Sequence, residues 1–262
     1  MTDTPPSYND PASGNEPQIL PRADGATIAY HKTEGKGPGI VFLGGFRSDM
    51  TGTKAQALEA HCMAQNRAFL RFDYFGHGAS SGDFTDGTIG RWAEDAICAL
   101  DELTDGPQIL VGSSMGGWIM LLAALARPER VAGLIGIAAA PDFTETLMWN
   151  RLSDKAKETL QREGVYYQPT EYDEGPYAIT LKLIEEARGH LLLDRVIEIA
   201  CPVHLIQGMK DDAVPWQHAL AISENLASDR VTVTLVKDGD HRLSGDEDLL
   251  RLNRTIDVMC TE

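Results

Sequence analysis

Apolar and polar positions along the chain switch repeatedly between two periods. ATIAYHKTE at 26–34 alternates in the manner of a strand. Compact apolar runs follow at 39–46 (GIVFLGGF), 67–76 (RAFLRFDYFG), 109–111, 130–141 (RVAGLIGIAAAP), 201–208 (CPVHLIQG) and 230–241 (RVTVTLVKDGDH), and each predicts a further strand. The 130–141 run is apolar almost without interruption, as in a strand buried on both faces. Between these runs the period lengthens. TKAQALEAHCMAQN places Ala55, Leu58 and Cys62 on one helical face, and TIGRWAEDAICALDEL does the same for Ile89, Trp92, Ala96, Leu100 and Leu103. MGGWIMLLAALA, PWQHALAISENLA and SGDEDLLRLNRTIDVM predict three more helices, the last opening on a Ser244–Glu247 capping box. Strand and helix in alternation predict a mostly parallel central sheet with helices on both faces.

The rhythm breaks over 142–195. There, two short helices are expected first, followed by a stretch mixing tyrosines, prolines and acids. An insertion at this point would sit above the carboxyl ends of the strands, where open sheets bind ligands. The organisation predicted is a loose arm over 1–18, a core over 19–141 and 196–262, and a lid over 142–195.

ILVGSSMGGW at 109–118 joins a predicted strand directly to a predicted helix through G-x-S-x-G centred on Ser114. A sharp turn of that kind holds its serine hydroxyl exposed above the sheet, and the flanking glycines leave room for it. The same residues would also suit an ordinary serine-rich turn with a capping hydroxyl. A nucleophilic serine needs a base within reach, and the base needs an orienting group. Seven histidines compete. His31, His61, His190, His204 and His218 fall inside elements or the insertion and read as structural; His77, in a loop after a strand, could approach the site. His241 follows the last strand and Ser114 in chain order, which makes it the preferred base. Asp211, heading D-x-x-V-P after the 201–208 strand, is the preferred acid over Asp212, with Asp142 as a second candidate; Asp238 and Asp240 read as turn formers. The backbone N–H groups of Met115 and Phe46 are the expected oxyanion donors, with Gly44 and Gly45 allowing close approach. Arg47 is expected at the pocket, and the tyrosines of the insertion, Tyr166, Tyr167, Tyr172 and Tyr177, can supply apolar surface with a polar rim for an acyl chain, with Tyr166 and Tyr167 expected in the pocket itself.

Composition narrows the partners. The 39 acidic residues against 23 lysines and arginines give a formal net charge of −16, which disfavours nucleic acid or an anionic membrane surface. The four cysteines are far apart in sequence and read as reduced thiols. No residue cluster has metal-ligand spacing, so neither metal nor organic cofactor is expected. No run reaches the length of a membrane-spanning helix, and the amino terminus has neither a secretory nor an arginine-rich targeting character.

GIVFLGGFRSDMTGTKA, RFDYFGHGASSGDF, DGPQILVGSSMGGWIMLLAALARPERV, CPVHLIQGMKDDAVPW and DGDHR together resemble the α/β-hydrolase superfamily. Within it, they are similar to the ABHD10-like palmitoyl-protein thioesterases and acyl-glucuronide esterases. The resemblance implies an α/β-hydrolase fold with a small lid, a triad of Ser114, Asp211 and His241, and cleavage of a small-molecule ester or acyl thioester, or of an acylated protein. Carbon–carbon hydrolysis or perhydrolysis on the same triad is the alternative, and a non-enzymatic scaffold a more distant one. Animal members of the group are mitochondrial; the amino terminus here points instead to a bacterial cytoplasmic relative.

Overall fold

The computed structural model describes residues 16–169 and 175–261, so most of the expected amino-terminal arm lies outside the described residues, as does Tyr172. Eight strands form one sheet: β1 (Gln18–Pro21), β2 (Thr27–Thr33), β3 (Lys36–Leu43), β4 (Arg67–Phe72), β5 (Gln108–Ser113), β6 (Val131–Ile137), β9 (Val203–Gly208) and β10 (Val231–Val236). Their order is β1-β2-β4-β3-β5-β6-β9-β10. The pairs β1–β2 and β2–β4 are antiparallel, and every pairing from β4 through β3 to β10 is parallel.

Alternation along the central strands splits one apolar run between two cores. Ile40 and Phe42 of β3, Ile109 and Val111 of β5, and Ile135 and Ile137 of β6 face one side. There they meet Ala55, Leu58 and Cys62 of α1 (Thr53–Ala64) and Leu252, Ile256 and Met259 of α7 (Asp246–Met259). Val41, Leu43, Leu110 and Leu134 face the other side. They pack with Trp92 and Leu100 of α2 (Ile89–Leu103), Trp118 and Leu121 of α3 (Met115–Ala126), and Ala219 and Ile222 of α6 (Gln217–Asn225). The molecule is therefore a mostly parallel mixed sheet flanked by helices on both faces, as the sequence pattern predicts.

Several predicted strands stop short at their carboxyl ends. The runs to 46, 76 and 141 end as strands at Leu43, Phe72 and Ile137. The remaining residues lie in loops over the sheet, where Ala138, Ala139 and Ala140 stay buried. Ser244 does not cap α7; the helix begins after Gly245 and carries Asp246, Glu247 and Asp248 in its first turn, which suits the positive end of the helix dipole.

The insertion holds a π-helical turn (Thr144–Met148), a 3-10 turn (Trp149–Arg151), α4 (Asp154–Glu163), an antiparallel hairpin of β7 (Val165–Gln168) and β8 (Tyr177–Thr180), and α5 (Leu181–Ala187). This hairpin is the small lid of the fold. Leu152, Ala156, Leu160, Ile179 and Ile184 give the lid a core of its own. Asp142, a second candidate for the catalytic acid, has a different role here: its two carboxylate oxygens each accept 2.8 Å bonds, from the Leu192 and Leu193 amides. It thereby ties both ends of the insertion together from a buried position. Asp142→Ala leaves two amides without their charged acceptor, and unfolding in urea should show a loss of about 2–4 kcal/mol. A loss below about 0.5 kcal/mol would contradict this role.

Candidate active site

The site is built where the parallel strands end. Ser114 follows β5 at φ 55° and ψ −118°, a conformation that costs an L-residue about 1–2 kcal/mol. Backbone bonds fix it: Ser114 N–H donates to Ile137 O at 2.9 Å, and Ser114 O accepts from the Gly117 and Ala140 amides at 2.9 and 3.0 Å. The flanking glycines are sterically required. A Cβ at Gly112 would lie 2.4 Å from Gly116 O, and one at Gly116 would lie 2.1 Å from Leu43 O.

His241, in the loop after β10, places Nε2 at 3.1 Å from Ser114 Oγ. Its Nδ1 donates to Asp211 Oδ2 at 2.8 Å. Asp211 sits in the loop after β9, and its Oδ1 accepts from the Ala213 and Val214 amides at 3.0 and 2.8 Å. Gln207 Nε2 donates to Asp211 Oδ2 at 2.9 Å. The three residues singled out from the sequence are thus joined in one hydrogen-bonded chain. Asp212 is exposed, Asp238 pairs with Lys210 and Asp240 accepts from Leu243 N–H. Ser113 is buried beside the cavity, but the histidine bond goes to Ser114.

Gly45 runs past the elbow so closely that a Cβ there would be 3.5 Å from Ser114 Cβ. Phe46 follows, its ring edge-on to Phe84, Trp92, Phe143 and the lid residue Tyr177 at 4.9–6.0 Å between centroids. Arg47 then takes φ 58°, and its N–H donates to His77 Nε2 at 3.2 Å. His77 Nδ1 donates in turn to Phe75 O at 3.2 Å. The Arg47 bond requires the neutral ring, since an imidazolium would aim N–H at N–H there. Burial pushes the His77 pKa down to about 4, which agrees with that geometry. His77 therefore holds the loop that carries Phe46 and Arg47. The sequence placed it near the site but gave no sign of this bond.

A cavity of about 890 Å³ opens over Ser114 and His241. Phe46, Phe143, Leu147, Met148 and Val214 line its apolar part; Arg47, Lys54, Arg151 and Arg242 contribute cationic groups. Lys54 donates to Arg242 O, and its ammonium is pushed down to about 8, mainly by burial. The expected Tyr166 and Tyr167 do not line this space. Along β7, Tyr166 turns inward onto the lid core, and Tyr167 is 59% exposed. The hairpin reaches the cavity with its far end instead, through Gln168, Pro169 and Tyr177.

Residues 40–252 match the model of the alpha/beta hydrolase family. The chain belongs to the α/β-hydrolase family. It is 45% identical to the human mitochondrial palmitoyl-protein thioesterase ABHD10 over 240 residues, covering 91% of this chain and 78% of that protein. The mouse alpha/beta hydrolase domain-containing protein 10 superposes with a TM-score of 0.87 at 42% identity, over 94% of this chain and 98% of that one. A protein of Agrobacterium vitis S4 described as a hydrolase gives 0.89 at 41% identity, with the same coverages. Within the α/β-hydrolases the chain is thus closely related to ABHD10-like esterases and thioesterases, and this kinship supports enzymatic activity of the general hydrolase type. One expectation is corrected: the mammalian relatives at 43–45% identity are named as mitochondrial proteins, so the reading of a bacterial cytoplasmic protein does not stand. No helix among the described residues is long and apolar enough to cross a membrane.

The depressed pKa of His77 links folding to pH. An unfolded histidine binds a proton near pH 6.5, whereas the folded protein resists it until about 4. Stability from the neutral ring is therefore complete above about 6.5 and is lost as pH falls toward 4, by up to about 3 kcal/mol. Urea unfolding of the wild type and of His77→Gln should differ in slope against pH over that window, the wild type falling more steeply. Parallel slopes would contradict the burial of a neutral imidazole.

Proposed function

We propose that the chain is a serine hydrolase of carboxylic esters and acyl thioesters, with Ser114 as nucleophile, His241 as base and Asp211 as the group that orients the base. The observation that carries this reading is the continuous hydrogen-bond chain from Ser114 Oγ through both His241 nitrogens to a buried carboxylate, at the foot of the cavity. A neutral imidazole with Nδ1–H held by Asp211 leaves Nε2 free to take the serine proton as Oγ attacks the carbonyl carbon. The carbonyl oxygen becomes an oxyanion, for which the Met115 and Phe46 N–H groups are the proposed donors. The imidazolium then returns its proton to the leaving alcohol or thiol, and the carbon–oxygen or carbon–sulfur bond breaks. Water, deprotonated by the same histidine, attacks the acyl-enzyme and releases the acid and the free serine.

The apolar wall of Phe46, Phe143, Leu147 and Met148 supports an acyl chain as the buried part of the substrate. The mammalian relatives named palmitoyl-protein thioesterases support the thioester half of the proposal. We place the lid at 142–195, between core segments 19–141 and 196–262; of the tyrosines expected to offer surface to an acyl chain, Tyr177 forms the wall in place of Tyr166 and Tyr167, and Arg47 stands at the mouth.

Ser114→Ala should lower kcat by at least about 10⁴ while the thermal melt stays intact, and Ser113→Ala should remain within roughly tenfold of wild type. A live Ser114→Ala enzyme would overturn the assignment. Asp211→Asn should reduce kcat by on the order of 10³–10⁴ through loss of the correct histidine tautomer, and Asp212→Asn should reduce it less than about threefold. Steady-state kinetics on a neutral oxygen ester and on an acyl thioester reads both pairs; equal losses in the two aspartate variants would reassign the acid.

A further inference from the structure

Gln207 is the last side chain of β9 before Gly208 and is 0% exposed. Its amide nitrogen lies 2.9 Å from Asp211 Oδ2 and 3.1 Å from Val214 O. Both neighbours are acceptors, so the two N–H groups must point at them; a flipped amide would set oxygen against oxygen twice. Among the described residues the amide oxygen has no hydrogen-bond partner, although it is fully buried. An orphaned buried acceptor costs about 1–3 kcal/mol, so neutral packing at this position would favour an apolar side chain. The group works here as a donor alone. Its partner oxygen is the same Oδ2 that accepts from His241 Nδ1. With the Ala213 and Val214 amides on Oδ1, the carboxylate receives four donors and each oxygen is held from two directions.

We propose that Gln207 is a positioning residue of the triad, clamping the Asp211 carboxylate through Oδ2 and setting how much negative charge that oxygen presents to His241. The proposal rests on the serine-hydrolase reading above. Its physics has a definite sign. Donation from the amide draws electron density from Oδ2 and weakens its hold on the imidazolium. Without it, Oδ2 is more negative, the charged form of His241 is favoured, and the base is neutral only at higher pH. The other charged groups of the neighbourhood stay in place in the comparison: Asp240 and Arg242 flank His241 in sequence, Lys54 donates to Arg242 O, and Asp212 lies next to Asp211. Simple loosening of the loop acts in the opposite sense, because a displaced carboxylate stabilises the imidazolium less.

The test is the pH profile of kcat/KM on a neutral oxygen ester for wild type, Gln207→Met and Gln207→Glu, with Ser114→Ala as control. Methionine keeps the volume and removes both donors along with the orphaned oxygen. Glutamate keeps the shape and, once ionised, sets a second negative charge against Asp211. The acid limb should move upward by about half a unit in Gln207→Met and by a unit or more in Gln207→Glu, with kcat reduced roughly three- to thirtyfold and KM little changed. An acid limb that stays put or moves downward in both variants overturns the role of Gln207, whatever the loss of rate. If one variant fails to fold, the other decides by the same criterion. Activity retained by Ser114→Ala would instead sink the triad reading, and the inference with it.

Discussion

Ser114 sits in a backbone conformation that L-residues avoid, and the rest of the site is arranged around holding it there. The Ile137, Gly117 and Ala140 bonds fasten the turn on either side, and two glycines give clearance that no other residue could give. The consequence is geometric. The hydroxyl is lifted off the sheet to a point where loops from β3, β9 and β10 converge. Because these strands are parallel, all of those loops lie at one end of the sheet, so His241 and Asp211, distant in sequence, meet Ser114 without any long excursion. Local strain of about 1–2 kcal/mol is set against two hydrophobic cores, one on each face of the sheet.

Two buried polar groups under the site answer the demands of a low-dielectric surrounding in different ways: Asp211 is charged and accepts on both oxygens, and His77 is held neutral. Burial keeps His77 neutral, and its two nitrogens, facing a donor and an acceptor, support the loop of Phe46 and Arg47. Arg47 then spans outward, its guanidinium lying 5.4 Å from the Phe84 ring centroid and 5.9 Å from that of Tyr177. Phe46 packs on Tyr177 as well. The lid hairpin and the loop beside the serine consequently share contacts, and movement of one will be felt by the other.

Much of this architecture was legible in the chain, and the failures have physical causes. The central strands were visible because burial on both faces makes them continuously apolar. Their carboxyl ends were overestimated for the same reason: Ala138–Ala140 are buried in loops and so look like strand. Strand β1 was missed because it is a short antiparallel edge with mostly exposed side chains. The hairpin was unreadable as such, and its two-residue alternation turned Tyr166 and Tyr167 to opposite sides, neither of them toward the cavity. The meeting of Ser114, His241 and Asp211 in space was legible from spacing, since each follows a strand at the same end of the sheet. Gln207 was not, although a lone amide inside an apolar strand was a signal that it had a partner.

Every catalytic role proposed here depends on Ser114 being the activated hydroxyl. Labelling with a fluorophosphonate, followed by intact mass and peptide mapping, asks this directly, because only a serine paired with a functioning base reacts quickly. The expected result is one phosphonyl group per chain, carried on Ser114, with hydrolytic activity lost in step with labelling. Full activity in the unlabelled protein after prolonged exposure, or a label on Ser113 or any other residue, would contradict it.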